Sequence, residues 1–325
     1  MAWRLKLAPE KTNIDFFAAQ WLTFGGSMLL MVLSFVAWGV MGLNFGIDFQ
    51  GGTTIRTEST TVVDVAAYRE ALSSLDLGDV AITEVFDPSF RDNQHVAMIR
   101  IAALDGAEAV TPETLETVRV ALVTMDSNLV VASVESVGPK VSSELMWTSI
   151  MAVAATSIGV MAYIWLRFEW QFALGGVLAL LHDVFITIGV FALFQLKFDL
   201  TIVAALLTIL GYSINDTVVV FDRLRENLVK FKTMPLKDVM NLSVNETLSR
   251  TLMTSLTTLI ALGALLIFGG DVIRGFSFAI FLGVVLGTYS SVYVAKNLVL
   301  IFGLDRSDKP KTGKGSDHEF ANIDA

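Results

Sequence analysis

Six runs of predominantly apolar residues, at 21–43, 147–166, 172–194, 200–221, 252–270 and 275–295, govern what this chain can become. Each is long enough to cross a bilayer as an α-helix, which needs about 20 residues. With 54% hydrophobic and 17% charged residues and a mean hydropathy of +0.62, the composition is that of a membrane protein, not a soluble one. The first run is too long for a cleaved signal peptide and shows no small-residue cleavage site, so it reads as an uncleaved anchor.

Lysines and arginines alternate in density between successive connections, and cytoplasmic segments are the richer ones. Arg4, Lys6 and Lys11 precede the first run, Arg167 follows the second, and the connection after the fourth holds Arg223, Arg225, Lys230, Lys232 and Lys237. Lys296 and four further cations follow the sixth run, whereas the opposite side has only Lys197 and Arg274 in its short loops. This pattern predicts both termini in the cytoplasm and the long 44–146 segment outside. That segment has 16 acidic and 6 basic residues, a balance that suits solubility and argues against nucleic acid. Zero cysteines exclude a thiolate metal site and any dependence on oxidation, and the three histidines do not cluster. No metal or cofactor is expected. Trp21, Trp147, Trp165 and Trp170 fall at the ends of runs, the usual place of interfacial tryptophans.

The outer segment alternates short strand and helix patterns. Residues 53–57, 80–86, 96–102 and 129–137 read as strands, and 64–75 and 111–125 as helices, the second with Thr111 as N-cap and Pro112 behind it. The order β-α-β-β-α-β is that of a ferredoxin-like domain. It holds no catalytic constellation, and its lone His95 reads as a solvated strand-end residue. The expected fold is therefore an α-helical polytopic membrane protein with six transmembrane helices. An α+β ferredoxin-like periplasmic domain, 44–146, is inserted between helices 1 and 2. A cytoplasmic arm (1–20) precedes the first span (21–43), and a five-helix bundle (147–302) and a disordered tail (303–325) close the chain.

Polar residues inside the apolar runs are the candidates for function. Asp216 lies within the fourth run, where a carboxylate costs about 2.5–3.5 kcal/mol on insertion scales. Thr201, Thr208, Asn215 and Asp222 are seven apart and form a polar stripe, and Tyr212 lies four before Asp216. Such a carboxylate either lines an ion path or packs helices together. His182 and Asp183 interrupt the third run; adjacent helical residues point about 100° apart, so they are not expected to meet. Asp183 shares a face with Gly176, Ala179 and Thr187. Ser142 or Ser143 is expected to cap the second span. Arg250 belongs to a second stripe with Thr247, Thr251, Thr254, Thr257 and Thr258 on the fifth run. It is either an anchor that snorkels to water or the counter-charge of Asp216. Gly275, Ala279, Gly283, Gly287, Ser291 and Ala295 place a small residue every four positions on the sixth run, a ridge for close helix approach and a candidate partner contact.

Together NFGIDFQGG (44–52), VGPKVSSEL (137–145), LHDV (181–184), GYSINDTVVVFDRLREN (211–227) and NETLSRTLMTSLTTLIALGALLIFGG (245–270) are similar to the SecD/SecF family of the RND superfamily, in its smaller, SecF-type half. The resemblance runs from the first span to the sixth. It implies an accessory subunit of the Sec preprotein translocase in the bacterial inner membrane. Such a subunit couples the proton motive force to late export, with SecD as heterodimer partner. It also implies contact with the SecYEG channel, the translocating preprotein and membrane lipids, with YajC and YidC as further candidates. Within the family the Asp of the Asn-Asp-Thr element and the Arg of the Leu-Ser-Arg-Thr element are linked to proton passage, which points to Asp216 and Arg250. A third acidic residue of that path belongs to SecD. Rival readings are an RND-type lipid or small-molecule exporter acting as a homo-oligomer, and a non-transporting scaffold. An enzyme is not expected, because there is no phosphate-binding Gly-Lys-Ser/Thr loop and no nucleophile–base set.

Overall fold

The structure is a computed structural model that describes residues 12–75, 77–85, 87, 90–91, 93–102 and 110–304. The expected disordered tail lies outside the described residues from 305 onward, as does the N-terminal arm up to residue 11. The chain runs through α1 (Gln20–Met41), β1 (Asn44–Phe45) and a short α2 (Ile47–Gln50) into a small α/β unit. That unit comprises β2 (Gly52–Ser59), α3 (Val65–Ser73), β3 (Val80–Val85), β4 (His95–Ala102), α4 (Pro112–Met125) and β5 (Val130–Val137). There follow α5 (Pro139–Arg167), α6 (Trp170–Leu193), β6 (Lys197–Phe198), α7 (Leu200–Lys230), α8 (Leu236–Phe268) and α9 (Asp271–Ser290). One π-helical turn (Ser291–Ala295) leads into α10 (Lys296–Phe302).

Among the described residues, six helical segments are long and apolar enough to cross a membrane: α1, α5, α6, α7, α8, and α9 continued through α10. Two helices are longer than their apolar runs. The connection expected at 222–251 is mostly helix, because α7 and α8 extend beyond the apolar stretches and turn within 231–235. Polar contacts hold the extension: Arg223 to Glu246 at 2.7 Å and Asn227 to Ser243 at 3.0 Å. Hydropathy marks where hydrocarbon ends, and a helix need not end there. Likewise α5 starts at Pro139, with Gly138 as N-cap and no side-chain cap. Proline at the first helical position sets that start, so neither Ser142 nor Ser143 caps the span. Ser142 instead donates to the carbonyl of Ile47 at 3.2 Å.

In the small unit the sheet order is β3-β4-β2-β5, every neighbouring pair antiparallel. Ala97, Ile99 and Ile101 of β4 join Ile55, Tyr68, Leu72, Val118 and Leu122 in one core. Asp64 caps α3, accepting from Ala66 N at 2.9 Å, and Thr111 caps α4, accepting from Thr114 N at 3.2 Å. His95 approaches Glu84 at 3.8 Å. Asp126, just past α4, accepts from the Ser59 and Thr61 hydroxyls and from Asn128 N, and these donors hold its carboxyl below the ordinary value.

Besides the Ser142–Ile47 contact and the run of β5 into α5, two further sites join this unit to the bundle among the described residues. At the first, Asn44 and Phe45 pair in parallel with Lys197 and Phe198, and Asp48 accepts from Leu200 N at 3.0 Å. Gly51 and Gly52 there adopt φ of 75° and 125°, a backbone that side chains disfavour. At the second, the Asp87 carboxylate accepts from Asp271 N at 3.1 Å, at the start of α9. A Cβ on Gly270 would collide with that carboxylate. The membrane side on which the α/β unit sits is called the domain side below.

Candidate functional site

Asp199 starts α7, its carboxylate accepting from Thr201 N at 3.1 Å and Ile202 N at 3.4 Å. The helix then carries Asp216 to the α7–α8 seam, where the side chain is 4% exposed. Across the seam lie Thr254, Ser255 and Arg250 of α8, the guanidinium acting on the carboxylate through space. Asp216 Oδ2 is nevertheless buried without a hydrogen-bond partner. The hydroxyl inventory gives the reason. Thr288 donates to Val284 O at 2.7 Å, so in its 2.6 Å contact with Ser255 the serine is the donor. Thr254 donates to backbone carbonyls of its own helix. Both facing protons are thus committed elsewhere. Arg250 forms no ion pair with Asp216 within 4 Å; the guanidinium is exposed and acts through space. Tyr212, one turn toward the domain side, donates to Thr258 at 3.3 Å.

A second polar cluster lies on another face of α7. His182 and Asp183 are 1% and 0% exposed. Contrary to the expectation from helical spacing, they meet: His182 Nδ1 is 3.0 Å from Asp183 Oδ1. The imidazole folds back along its own helix because its far nitrogen, Nε2, is engaged by Ser27 Oγ of α1 at 2.5 Å. Asp183 Oδ2 accepts from Ser213 of α7 and Ser290 of α9, each at 2.7 Å. Next to this, Thr217 meets Ser291 of the π-helical turn at 2.8 Å.

The two stripes trade the places expected of them. The small-residue ridge is internal: Ala279, Gly283 and Gly287 are buried, with Ile209 against Gly283, Ser213 against Gly287, and Ile202 near Gly275. The ridge therefore packs on α7 and is not an outward partner contact. The stripe of Thr201, Thr208, Asn215 and Asp222 is the exposed face of α7, with Ala204 and Gly211. Asn215 thus turns away from the Asp216 seam. Polar residues facing hydrocarbon at this depth require cover.

A cavity of about 480 Å³ opens between α5, α7 and α8, at the end of the bundle opposite the domain side. Asp222, Arg223, Glu226, Glu246 and Arg250 line it. It therefore reaches the guanidinium that acts on Asp216. Sequence reasoning missed Ser27, Ser213 and Ser290, since single serines in apolar runs look like neutral filler. It also took Lys296 for a solvated topology cation. Lys296 is 1% exposed, donates to Phe16 O at 3.0 Å and sits over the ring of Phe17.

Residues 117–305 match the family described as protein export membrane protein SecD/SecF, C-terminal, and residues 36–61 match the SecD/SecF GG motif. The chain belongs to the SecD/SecF family. It is 70% identical over 325 residues to the protein translocase subunit SecF of Cereibacter sphaeroides, covering 100% of both chains. It is 64% identical to the subunit SecF of Rhodobacter capsulatus, covering 99% of this chain and 98% of that one. Among solved structures it is similar to SecDF from Thermus thermophilus, a translocon-associated membrane protein, with a TM-score of 0.79 and 35% identity. That match covers 91% of this chain and 39% of the SecDF chain. A super-membrane-facing form of SecDF aligns with a TM-score of 0.66, 36% identity and 90% of this chain, again over 39% of that chain. The chain thus spans about two fifths of the solved SecDF chains.

Proposed function

We propose that this chain is an accessory subunit of the Sec preprotein translocase and couples the proton motive force to late steps of export beside a SecD-type partner. The full-length similarity to translocase subunits carries the reading. The fused SecDF neighbours supply the partner's kind, since the remainder of those chains has no counterpart here. The uncovered polar face of α7 supports the same reading, because a second half-bundle laid there would remove Thr208 and Asn215 from lipid. SecYEG and the emerging preprotein follow as further partners. The termini are cytoplasmic and the membrane is the bacterial inner membrane. The α/β unit is the ferredoxin-like periplasmic domain, its sheet order being that of a split β-α-β pair.

In this reading Asp216 is the proton-carrying group and Arg250 its through-space counter-charge. A proton arriving on Oδ2 neutralises a carboxylate oxygen that is buried without a hydrogen-bond donor. Neutralised Asp216 no longer holds Arg250, and the α7–α8 seam repacks. The charged cavity is the exit to the cytoplasm. A membrane potential supplies about 2.3 kcal/mol per charge per 100 mV, enough to shift a two-state equilibrium more than tenfold. The test is proton-gradient-stimulated preprotein transport in inverted membrane vesicles carrying Asp216→Asn. The expected result is loss of the stimulated component with the partner still co-purifying. Wild-type stimulation in that variant refutes the proposal. Loss of assembly with retained stimulation by the residual complex favours a scaffold.

A further inference from the structure

The helix that leads into the α/β unit, α1, lies along α6. Only Ser27 and Ser34 of α1 are buried; most of its apolar side chains face outward, with Phe24 and Met28 partly packed on the bundle. Both serines meet α6, seven residues apart on each helix: Ser27 at His182, Ser34 at Gly189. The second meeting is steric, with the Ser34 side chain filling the space a Cβ on Gly189 would take. The first is polar, and it does not stop at α6. His182 passes to Asp183, and Asp183 to Ser213 and Ser290. Ser213 is three residues before Asp216 on the same helix, about one turn toward the domain side. Toward the other end of α1, Tyr289 of α9 donates to Thr23 O at 2.7 Å, a contact with backbone that any residue at 23 preserves.

We infer that Ser27, His182 and Asp183 form a coupling joint that transmits movement of the Asp216 helix to α1, and through α1 to the α/β unit. The inference rests on the proposed role of Asp216. These are positioning residues, since none touches the transferred proton in this arrangement. The geometry favours a joint over inert packing for two reasons. Asp183 draws three donors from α6, α7 and α9 onto one carboxylate, so turning α7 breaks or drags the Ser213 contact. Among the described residues, the one α1 side chain that hydrogen-bonds to another helix, Ser27, is spent on this cluster, at the level of Ser213 and not near the membrane surface. An apolar seam would hold α1 equally well without tying it to α7.

The test separates proton movement from transport in inverted vesicles containing the chain with its SecD-type partner. Gradient-stimulated export and gradient-driven proton flux are measured side by side for Ser27→Ala, Ser27→Thr, Ser34→Ala and Asp216→Asn. For Ser27→Ala the expected result is about fivefold lower stimulated export with proton flux retained, the factor that one buried hydrogen bond of about 1 kcal/mol represents. Ser27→Thr, which keeps the hydroxyl, restores export, and Ser34→Ala behaves as wild type. Unchanged export in Ser27→Ala overturns the joint. So does a parallel loss of flux and export, which would make Ser27 part of the proton path or of the fold. If Asp216→Asn leaves both measurements unchanged, the underlying reading of Asp216 falls instead.

Discussion

The ammonium of Lys296 stands 4.0 Å from the centre of the Phe17 ring and donates an N–H to the carbonyl of Phe16 at 3.0 Å. Segment 12–17 is thereby fastened to α10, while Asn241 and Asn245 of α8 bind its backbone at Phe16 N and Ile14 N. Replacing Lys296 with Ala empties the aromatic box and strips a buried carbonyl of its donor. The expected loss is about 2–3 kcal/mol. It is read as a lower thermal midpoint in detergent, together with faster proteolysis near residue 17.

Gly283 and Gly211 both lie on the α7–α9 half of the bundle but answer differently to a methyl group. A Cβ on Gly283 comes within 2.3 Å of Ile209 Cγ1, near the root of a branched side chain that cannot swing clear. Gly283→Ala should cost about 1–3 kcal/mol, with partial recovery in the double variant that also carries Ile209→Ala. Gly211 meets nothing within 4 Å. Gly211→Leu should leave the chain's own thermal midpoint unchanged and weaken co-purification of the partner.

Gly189 is the steric half of the α1 seam. Its added Cβ would fall 2.2 Å from Ser34 Cβ and 2.5 Å from Ser34 Cα. Gly189→Ala should therefore push α1 off the bundle. Ser34→Ala should not relieve it, because the clash is with Cβ, whereas Ser34→Gly should relieve it in part. Cysteine cross-linking between α1 and α6 checks this directly, since the chain has no native cysteine to interfere.

Asp126 makes the α/β unit sensitive to acid. Its folded carboxyl is held below the ordinary value by the Ser59 and Thr61 hydroxyls. A depressed folded value stabilises above the unfolded one, about 3.9, and that stability is lost as pH falls through the folded value. Asp126→Asn should lose the benefit at neutral pH and flatten the acid limb. Hydrogen exchange of α4 and β2 amides, followed from pH 7 downward, gives the comparison.

The spans and the α/β element order were legible because both rest on periodicity, which local sequence carries. The burial of Asp216 was legible because a carboxylate in an apolar run has to leave lipid. The meeting of His182 with Asp183 was not: helical spacing separates the Cβ directions, and only Ser27, 155 residues away, draws the ring back. Which face of α7 stays open was equally hidden, since Gly283 and Gly287 advertise close packing without saying on what. Lys296 looked like any cation near a helix end until Phe16 and Phe17 closed over it.

The α/β unit and the segment leading into it touch three different helices: α7 through Asp48, α5 through Ser142 at the Ile47 carbonyl, and α9 through Asp87. Its posture is therefore tied to how those helices stand relative to one another. A change of tilt between any two of them is passed to the sheet with no separate messenger.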